Sequence, residues 1–354
     1  MRLTLARWGK SGGIFAATIL LFVFSRIVEP RSLGGSALAA LWPFAAILVL
    51  AAVGQTLVVQ QRGIDLSVPG FISLTVVIVT HLPNGASSKL VPAILLVFGI
   101  SIVAGVVNGI MVTKVGIMPI VQTLGMNAVL YGIDLAISHG TPTQTTTALQ
   151  NFVSGSVLGI PVPMVFAIIA VVAVEVVVKR TVLGRRFEAA GVSERAGRAA
   201  GLSVDRYQIL AYVGSAMLYC TAGILLAGII SQPDAFQGDA YLLPSVAAVA
   251  LGGTSLMGGI GSPIASAIGA VFLSQLQQFV LTTGASAAAQ NVVEAIALAV
   301  GVAVYGVRGK LGSMLRRRRA ASVPIVASDA PPSGPATAGG MASHAVSTSE
   351  RLGR

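Results

Sequence analysis

Asp65 and Ser67 place a carboxylate and a hydroxyl close together in the segment Arg62–Gly70 (RGIDLSVPG), between two strongly apolar runs. Groups of this kind have two uses in such a setting. They can accept hydrogen bonds from the open N–H groups that begin a helix, with Pro69 tolerated in the first turn because it has no N–H to satisfy. They can also belong to unwound backbone packed inside a helical bundle beside a substrate path. Gln55, Asn108, Gln122, Thr123 and Asn127 fall within or at the ends of neighbouring apolar runs. Each costs free energy in a bilayer unless paired or wetted, so the set either ties helices together or lines a polar pathway. No catalytic constellation accompanies them. Of three histidines, His344 is in the C-terminal tail, and His81 and His139 lie at loop edges away from cysteines and carboxylates. No metal site and no nucleophile–base pair is expected.

A second informative stretch is the cationic segment from Lys179 to Arg206. Ser193 suits a helix N-cap, Glu194 suits the positive helix start, and Arg195, Ala196, Gly197, Arg198, Ala199 and Ala200 complete roughly two turns before Gly201 at the C′ stop. So short a helix is marginal in isolation and needs a surface to dock on. It reads either as an interfacial helix whose arginines touch lipid phosphate or as a handle gripped by a soluble ATPase subunit.

The rest of the chain decides what such segments are attached to. Hydrophobic residues make up 55% of the 354, charged residues 10%, and mean hydropathy is +0.86. A soluble domain carries far more charge, and repeated apolar runs of membrane length predict an all-α, polytopic helical bundle. Continuous rather than alternating runs argue against a β-barrel. Spans are expected at 14–28, 37–61, 68–82, 90–113, 118–137, 162–178, 207–230, 242–257, 263–282 and 290–307, about ten at the usual ~20 residues each. The membrane-embedded body then covers 14–310, with 1–13 and 311–354 as cytoplasmic ends. Arg2, Arg7 and Lys10 precede the first apolar run, but Glu29-Pro30-Arg31 follows it instead of a small-residue cleavage site, so it reads as a retained anchor. With the N-terminus inside, eighteen Lys and Arg up to Arg319 fall in inner segments and only Arg26, Arg31 and Lys89 in outer ones, which sets both termini in the cytoplasm. The net charge of +11 is thereby topological and does not call for nucleic acid. Cys220 is the one cysteine, so no intrachain disulfide forms. The tail after Arg316–Arg319 is rich in Ala, Ser, Pro and Gly and is expected to be disordered, the arginines serving as a stop signal or lipid-headgroup contact.

Ala250–Pro263 (ALGGTSLMGGIGSP) carries Gly252, Gly253, Gly258 and Gly259. Without a preceding strand or a following Lys it reads as a tight interior turn, not a phosphate loop. Trp8-Gly9-Lys10-Ser11 lacks the glycine a Walker motif requires, so any ATP is bound by a separate subunit and no cofactor is expected here. Gly105 with Gly109, Gly223 with Ala227, and Ala265 with Gly269 offer small-residue faces for close helix packing. Asp134, Glu175 and Glu294 each fall near the end of a span, within reach of interfacial water, which disfavours a proton relay.

Four stretches in order carry a family resemblance: RGIDLSVPG at 62–70, PIVQTLGMNAVLYGIDLAISHGTPT at 119–143, TVLGRRFEAAGVSERAGRAAGLSV at 181–204, and VAAVALGGTSLMGGIGSPIASAIGA at 246–270. Together they resemble bacterial ABC-transporter permeases of the ribose/simple-sugar type, in the branched-chain amino acid and sugar permease superfamily. The resemblance implies an importer of a sugar or sugar-like polyol working by alternating access. It also implies a second permease chain, identical or related, a partner ABC ATPase that binds the ATP, and a periplasmic or lipoprotein sugar-binding protein. The coupling element would fall on Ser193–Gly201. The chain departs from the pattern at Ala265-Ser266, at Gln277-Gln278-Phe279 where Asn-Asn-Gly is usual, and at Glu294. A branched-chain amino acid permease and an ion-coupled secondary transporter are the competing readings.

Overall fold

The computed structural model describes residues 2–286 and, beyond them, 288–290, 292, 293, 295, 296 and 299, with side chains from residue 12 onward. Among the described residues up to Thr282, twelve α-helices follow one another: α1 (Arg2–Val28), α2 (Gly35–Gln60), α3 (Val68–His81), α4 (Leu90–Ile110), α5 (Pro119–Ser138), α6 (Thr147–Val153), α7 (Val162–Arg180), α8 (Val182–Val192), α9 (Glu194–Ala199), α10 (Val204–Ile229), α11 (Leu242–Leu251) and α12 (Pro263–Thr282). Six of them (α2, α4 with the π-turn Met111–Val115, α5, α7, α10 and α12) are long and apolar enough to cross a bilayer. The chain is an all-α, multi-pass membrane bundle. The tenth expected span falls mostly outside the described residues, as do Glu294, Arg316–Arg319 and the 311–354 tail.

The core forms around α2, whose residues from Ala45 to Gln60 are buried. Small residues set the closest approaches. A Cβ on Gly105 would sit 2.9 Å from the Tyr212 carbonyl oxygen, and one on Gly109 2.7 Å from Ile209 Cα, so α4 lies directly on α10. Gly223 meets the Ile72 carbonyl of α3, and Gly269 meets the Ala248 carbonyl of α11. Glycine pairs of this kind let helices pack where lipid offers no hydrophobic drive.

Two spans are broken. With 14 residues α3 extends about 21 Å, and with 10 residues α11 about 15 Å, each short of a ~30 Å hydrocarbon core. The eighth span therefore stops at Leu251 and not at 257. The reason is backbone geometry: Gly253 turns left-handed at φ +76°, its N–H donates to the Ala250 carbonyl and the Thr254 N–H to that of Val249, a Schellman stop. The segment 231–241, expected as an outer loop, instead descends into the bundle. Gly238 N–H donates to Ser73 Oγ at 2.9 Å, and a Cβ on Gly238 would fall 2.2 Å from the Pro69 carbonyl oxygen at the start of α3. The connector that leads into α11 thus meets the start of α3 at backbone contact distance. In the 138–161 loop the structure adds α6, capped by Thr146, and a hairpin pairing Ser156–Val157 with Ile160–Pro161.

Candidate functional site

Asp65 lies in the non-helical connector between α2 and α3, and around it the structure gathers every polar residue expected to line a path. Gln55, Asp65, Ser67, Asn108 and Thr123 are inaccessible to solvent, while Gln122 and Asn127 are half-buried. Asp65 Oδ1 accepts the Ser67 N–H at 2.9 Å and also the Ser67 hydroxyl, and Oδ2 accepts from Ser215 Oγ at 3.4 Å. Asn108 Nδ2 donates to Ser67 Oγ at 3.2 Å, and Gln122 Nε2 to Asn108 Oδ1 at 3.2 Å. With its amide oriented to satisfy both partners, Gln55 donates to the Asp65 carbonyl and accepts from the Asp65 N–H, each at 3.2 Å, and meets Tyr219 OH at 3.0 Å.

The expected capping of α3 by Asp65 and Ser67 does not occur: Ser67 stands at the N-cap without a side-chain cap bond, and Asp65 accepts the N–H of Ser67 itself. The segment is instead held from α5, where Leu66 N–H donates to Thr123 Oγ1 at 2.9 Å and Gly70 N–H to Asn127 Oδ1 at 2.8 Å, so it is irregular backbone packed inside the bundle. Irregular chain at this depth is tolerated because its polar groups find protein partners. Of the ion pairs among the described residues (Lys114–Asp205, Lys179–Glu188 and Arg198–Asp205), none includes Asp65, so hydrogen bonds and not a cation hold its carboxylate.

The cationic segment folds as two helices. Its first, α8, was not evident from charge; the signal was Thr181, whose hydroxyl accepts the Gly184 N–H at 3.1 Å, followed by the buried apolar positions Phe187 and Ala190. α9 runs within the expected limits. Ser193 Oγ accepts the Ala196 N–H at 3.3 Å. At the other end Leu202 N–H donates to the Gly197 carbonyl at 2.9 Å and Gly201 N–H to that of Arg198 at 3.0 Å, with Gly201 left-handed at φ +77°. Gly197 is the buried contact of this short helix, close to Val204 and Ala190, and Arg195, Ala196, Arg198, Ala199 and Ala200 face outward. Two bonds clamp α9 to α10: Gln208 Nε2 to Glu194 at 2.7 Å, and Arg198 to Asp205, which Lys114 also pairs.

Arg62 connects the two regions, although its sequence context suggested only a topological charge. Its backbone is left-handed at φ +67°. Its Nε donates to the Gly191 carbonyl at 2.9 Å and its guanidinium also reaches the Val192 carbonyl, satisfying the last carbonyls of α8 immediately before Ser193. Gln61 Nε2 donates to the Phe187 carbonyl at 2.8 Å, and Gly259 N–H to the Gln60 carbonyl at 2.8 Å. A Cβ on Gly258 would strike Arg62 Cγ at 2.4 Å and one on Gly191 the Gln60 carbonyl at 2.0 Å. The end of α2, the end of α8 and the glycine-rich turn are one joint, and the four expected turn glycines all lie in the segment that closes it. Gly252 packs within the same segment, against Ser266 N of α12.

Residues 38–305 match the family described as "Branched-chain amino acid transport system / permease component". The chain belongs to this permease family. The permease is 32% identical to the ribose import permease protein RbsC of Bacillus subtilis, covering 82% of this chain and 91% of that protein. It is 30% identical to the fructose import permease protein FruF of Bifidobacterium longum, over 77% and 78%. With the galactofuranose transporter permease protein YtfT of Escherichia coli it shares 34% identity over 71% and 74%. No solved structure matches the permease. Two of its acids depart from expectation: Asp134, one turn inside the end of α5, is fully buried with neither carboxylate oxygen hydrogen-bonded, and Glu175 is half-buried with Oε2 unbonded. Burial beneath that last turn, not proximity to the helix end, sets the surroundings of Asp134.

Proposed function

We propose that this permease is the membrane subunit of an ATP-driven importer that carries a sugar or sugar-like polyol across the bacterial cytoplasmic membrane. The observation that carries the reading is the joint at Arg62, which fastens the end of α8, immediately before an exposed and doubly capped α9, to the connector of a broken span. Such a helix is suited to insertion in a cleft of an ATPase subunit, and movement of it would be felt at Asp65 and α3. The relatives named for ribose, fructose and galactofuranose supply the chemical class of cargo.

In this reading the ATP is bound and hydrolysed by the partner ATPase, and the permease contributes no catalytic residue. Ser193–Gly201 couples hydrolysis to the bundle, and a second permease chain completes the path. A periplasmic or lipoprotein sugar-binding protein delivers the cargo. Both termini face the cytoplasm, as the Lys and Arg distribution requires, with Arg180, Arg185 and Arg186 near lipid headgroups. The Asp65 cluster fixes the connector beside the path, and its half-buried members Gln122 and Asn127 border it. The glycine turn Gly252–Gly259 is the structural backstop of the joint.

Deleting Ser193–Gly201 tests the assignment. The expected result is loss of co-purification with the ATPase and loss of sugar uptake in proteoliposomes. Persistence of the complex after the deletion would sink the coupling role.

A further inference from the structure

A second polar region lies in the half of the bundle away from α8 and α9. α12 carries Ser274, Gln275, Gln277 and Gln278 within its apolar length, where uncharged polar groups are expensive unless they have partners or a polar guest. Gln275 is fully buried with neither amide atom hydrogen-bonded. Beside this stretch opens a half-open cavity of about 290 Å³, bordered by α12, the first half of α2 and the start of α11. Ser274, Gln277, Gln278, Gln290 and the phenol of Tyr241 give it hydrogen-bonding groups, and Phe44 belongs to its apolar side. Tyr241 stands immediately before α11, so the cavity adjoins the start of a half-helix. Breaks of this kind accompany transport sites near the bilayer centre.

The lining states the chemistry of its guest. Among the described lining residues none is charged, so these residues offer a zwitterionic amino acid no counter-charge for its ammonium and carboxylate. Amide side chains both donate and accept, as hydroxyl groups do, and an aromatic ring covers the C–H face of a sugar. At about 30 Å³ per water the volume corresponds to roughly ten waters, the scale of one monosaccharide.

We propose that this cavity is a transit site for a neutral, polyhydroxylated molecule of monosaccharide size, with Gln277 and Gln278 addressing its hydroxyl groups. The proposal rests on the sugar-importer reading and gives that cargo a place in the membrane. The test uses the complete transporter in proteoliposomes with its ATPase and binding protein, offered ribose, fructose, galactose or leucine. For the sugar that the unmodified complex moves, the Gln277→Leu/Gln278→Leu variant should lower maximal uptake at least about tenfold, with half-saturation within about twofold because the binding protein sets it. Co-purification with the ATPase and stimulated ATP hydrolysis should persist. Gln278→Asn, which keeps an amide in the cavity, should restore part of the rate and alter the ranking of the sugars.

A labelling experiment covers the case in which the double variant fails to assemble. The sole native cysteine, Cys220, is buried, so Gln278→Cys introduces one reactive thiol. The transported sugar should slow its maleimide labelling roughly threefold or more, and leucine should not. Undiminished sugar uptake in the double variant, or labelling indifferent to sugar, overturns the transit site and leaves the importer reading standing. An unmodified complex that moves leucine and no sugar overturns the importer reading itself.

Discussion

The Asp65 cluster and the α12 cavity are both polar regions inside an apolar bundle, and they are built in opposite ways. Around Asp65 each side chain answers another: Gln55 binds the connector backbone, Thr123 and Asn127 bind the start of α3, and Ser67 and Ser215 bind the carboxylate. A network satisfied within the protein fixes one conformation. At the cavity, the amides of Gln277, Gln278 and Gln290 border open volume, and Gln275, on the same helix but outside the lining, is buried with neither amide atom hydrogen-bonded. Polar groups that answer each other build the wall of a transporter; polar groups that border space suit something passing through.

That contrast breaks most visibly at Asp65. Asp65→Ala leaves the Ser67 amide and hydroxyl without their acceptor, about 3 kcal/mol in all, or roughly a hundredfold in the folded-to-unfolded ratio, while the Ser215 hydroxyl keeps the Tyr212 carbonyl at 2.9 Å. Heating in detergent followed by gel filtration should show the folded peak lost at lower temperature, whereas cavity variants should match the parent. Arg62→Gly is expected to act next most strongly. Glycine accepts the left-handed backbone, so the fold survives while the joint is cut, and sugar moved per ATP hydrolysed should drop roughly tenfold with the ATPase still bound. An unchanged ratio of uptake to hydrolysis would separate the two regions altogether. Ser193→Ala removes one helix cap, worth about 1 kcal/mol, and should weaken ATPase binding about fivefold in a titration of the purified subunits. The smallest effect is expected at Asp134. Asp134→Asn should leave ATP-driven uptake within about twofold, and complete loss with the ATPase complex intact would favour ion coupling.

Much of this was legible in the chain. Apolar runs of membrane length gave the helical class, and Ser193 and Gly201 marked both ends of α9 because capping is a local property of two or three residues. The polar set from Gln55 to Asn127 was identifiable because amides and hydroxyls in apolar runs are conspicuous. Which of them would meet was not, since those contacts join residues as far apart as Asp65 and Ser215. The eighth span was read too long because Ser255, Leu256 and Met257 continue an apolar pattern that the left-handed Gly253 has already ended. The descent of 231–241 carried no local signal, because SQPDAFQGDAY is as polar as any exposed loop. Arg62 was counted as a charge when its geometry makes it a fastener.

The meeting of Gly238 with Pro69 bears on how such a molecule can diversify. The contact is main chain against main chain, and it tolerates no side chain at position 238. Its geometry therefore depends on that glycine and on Ser73, whose hydroxyl accepts the Gly238 N–H, and on none of the amides that line the cavity. A lineage can exchange the amides and aromatic of the cavity one at a time, trading one cargo for another, while the contact at the start of α3 is inherited intact.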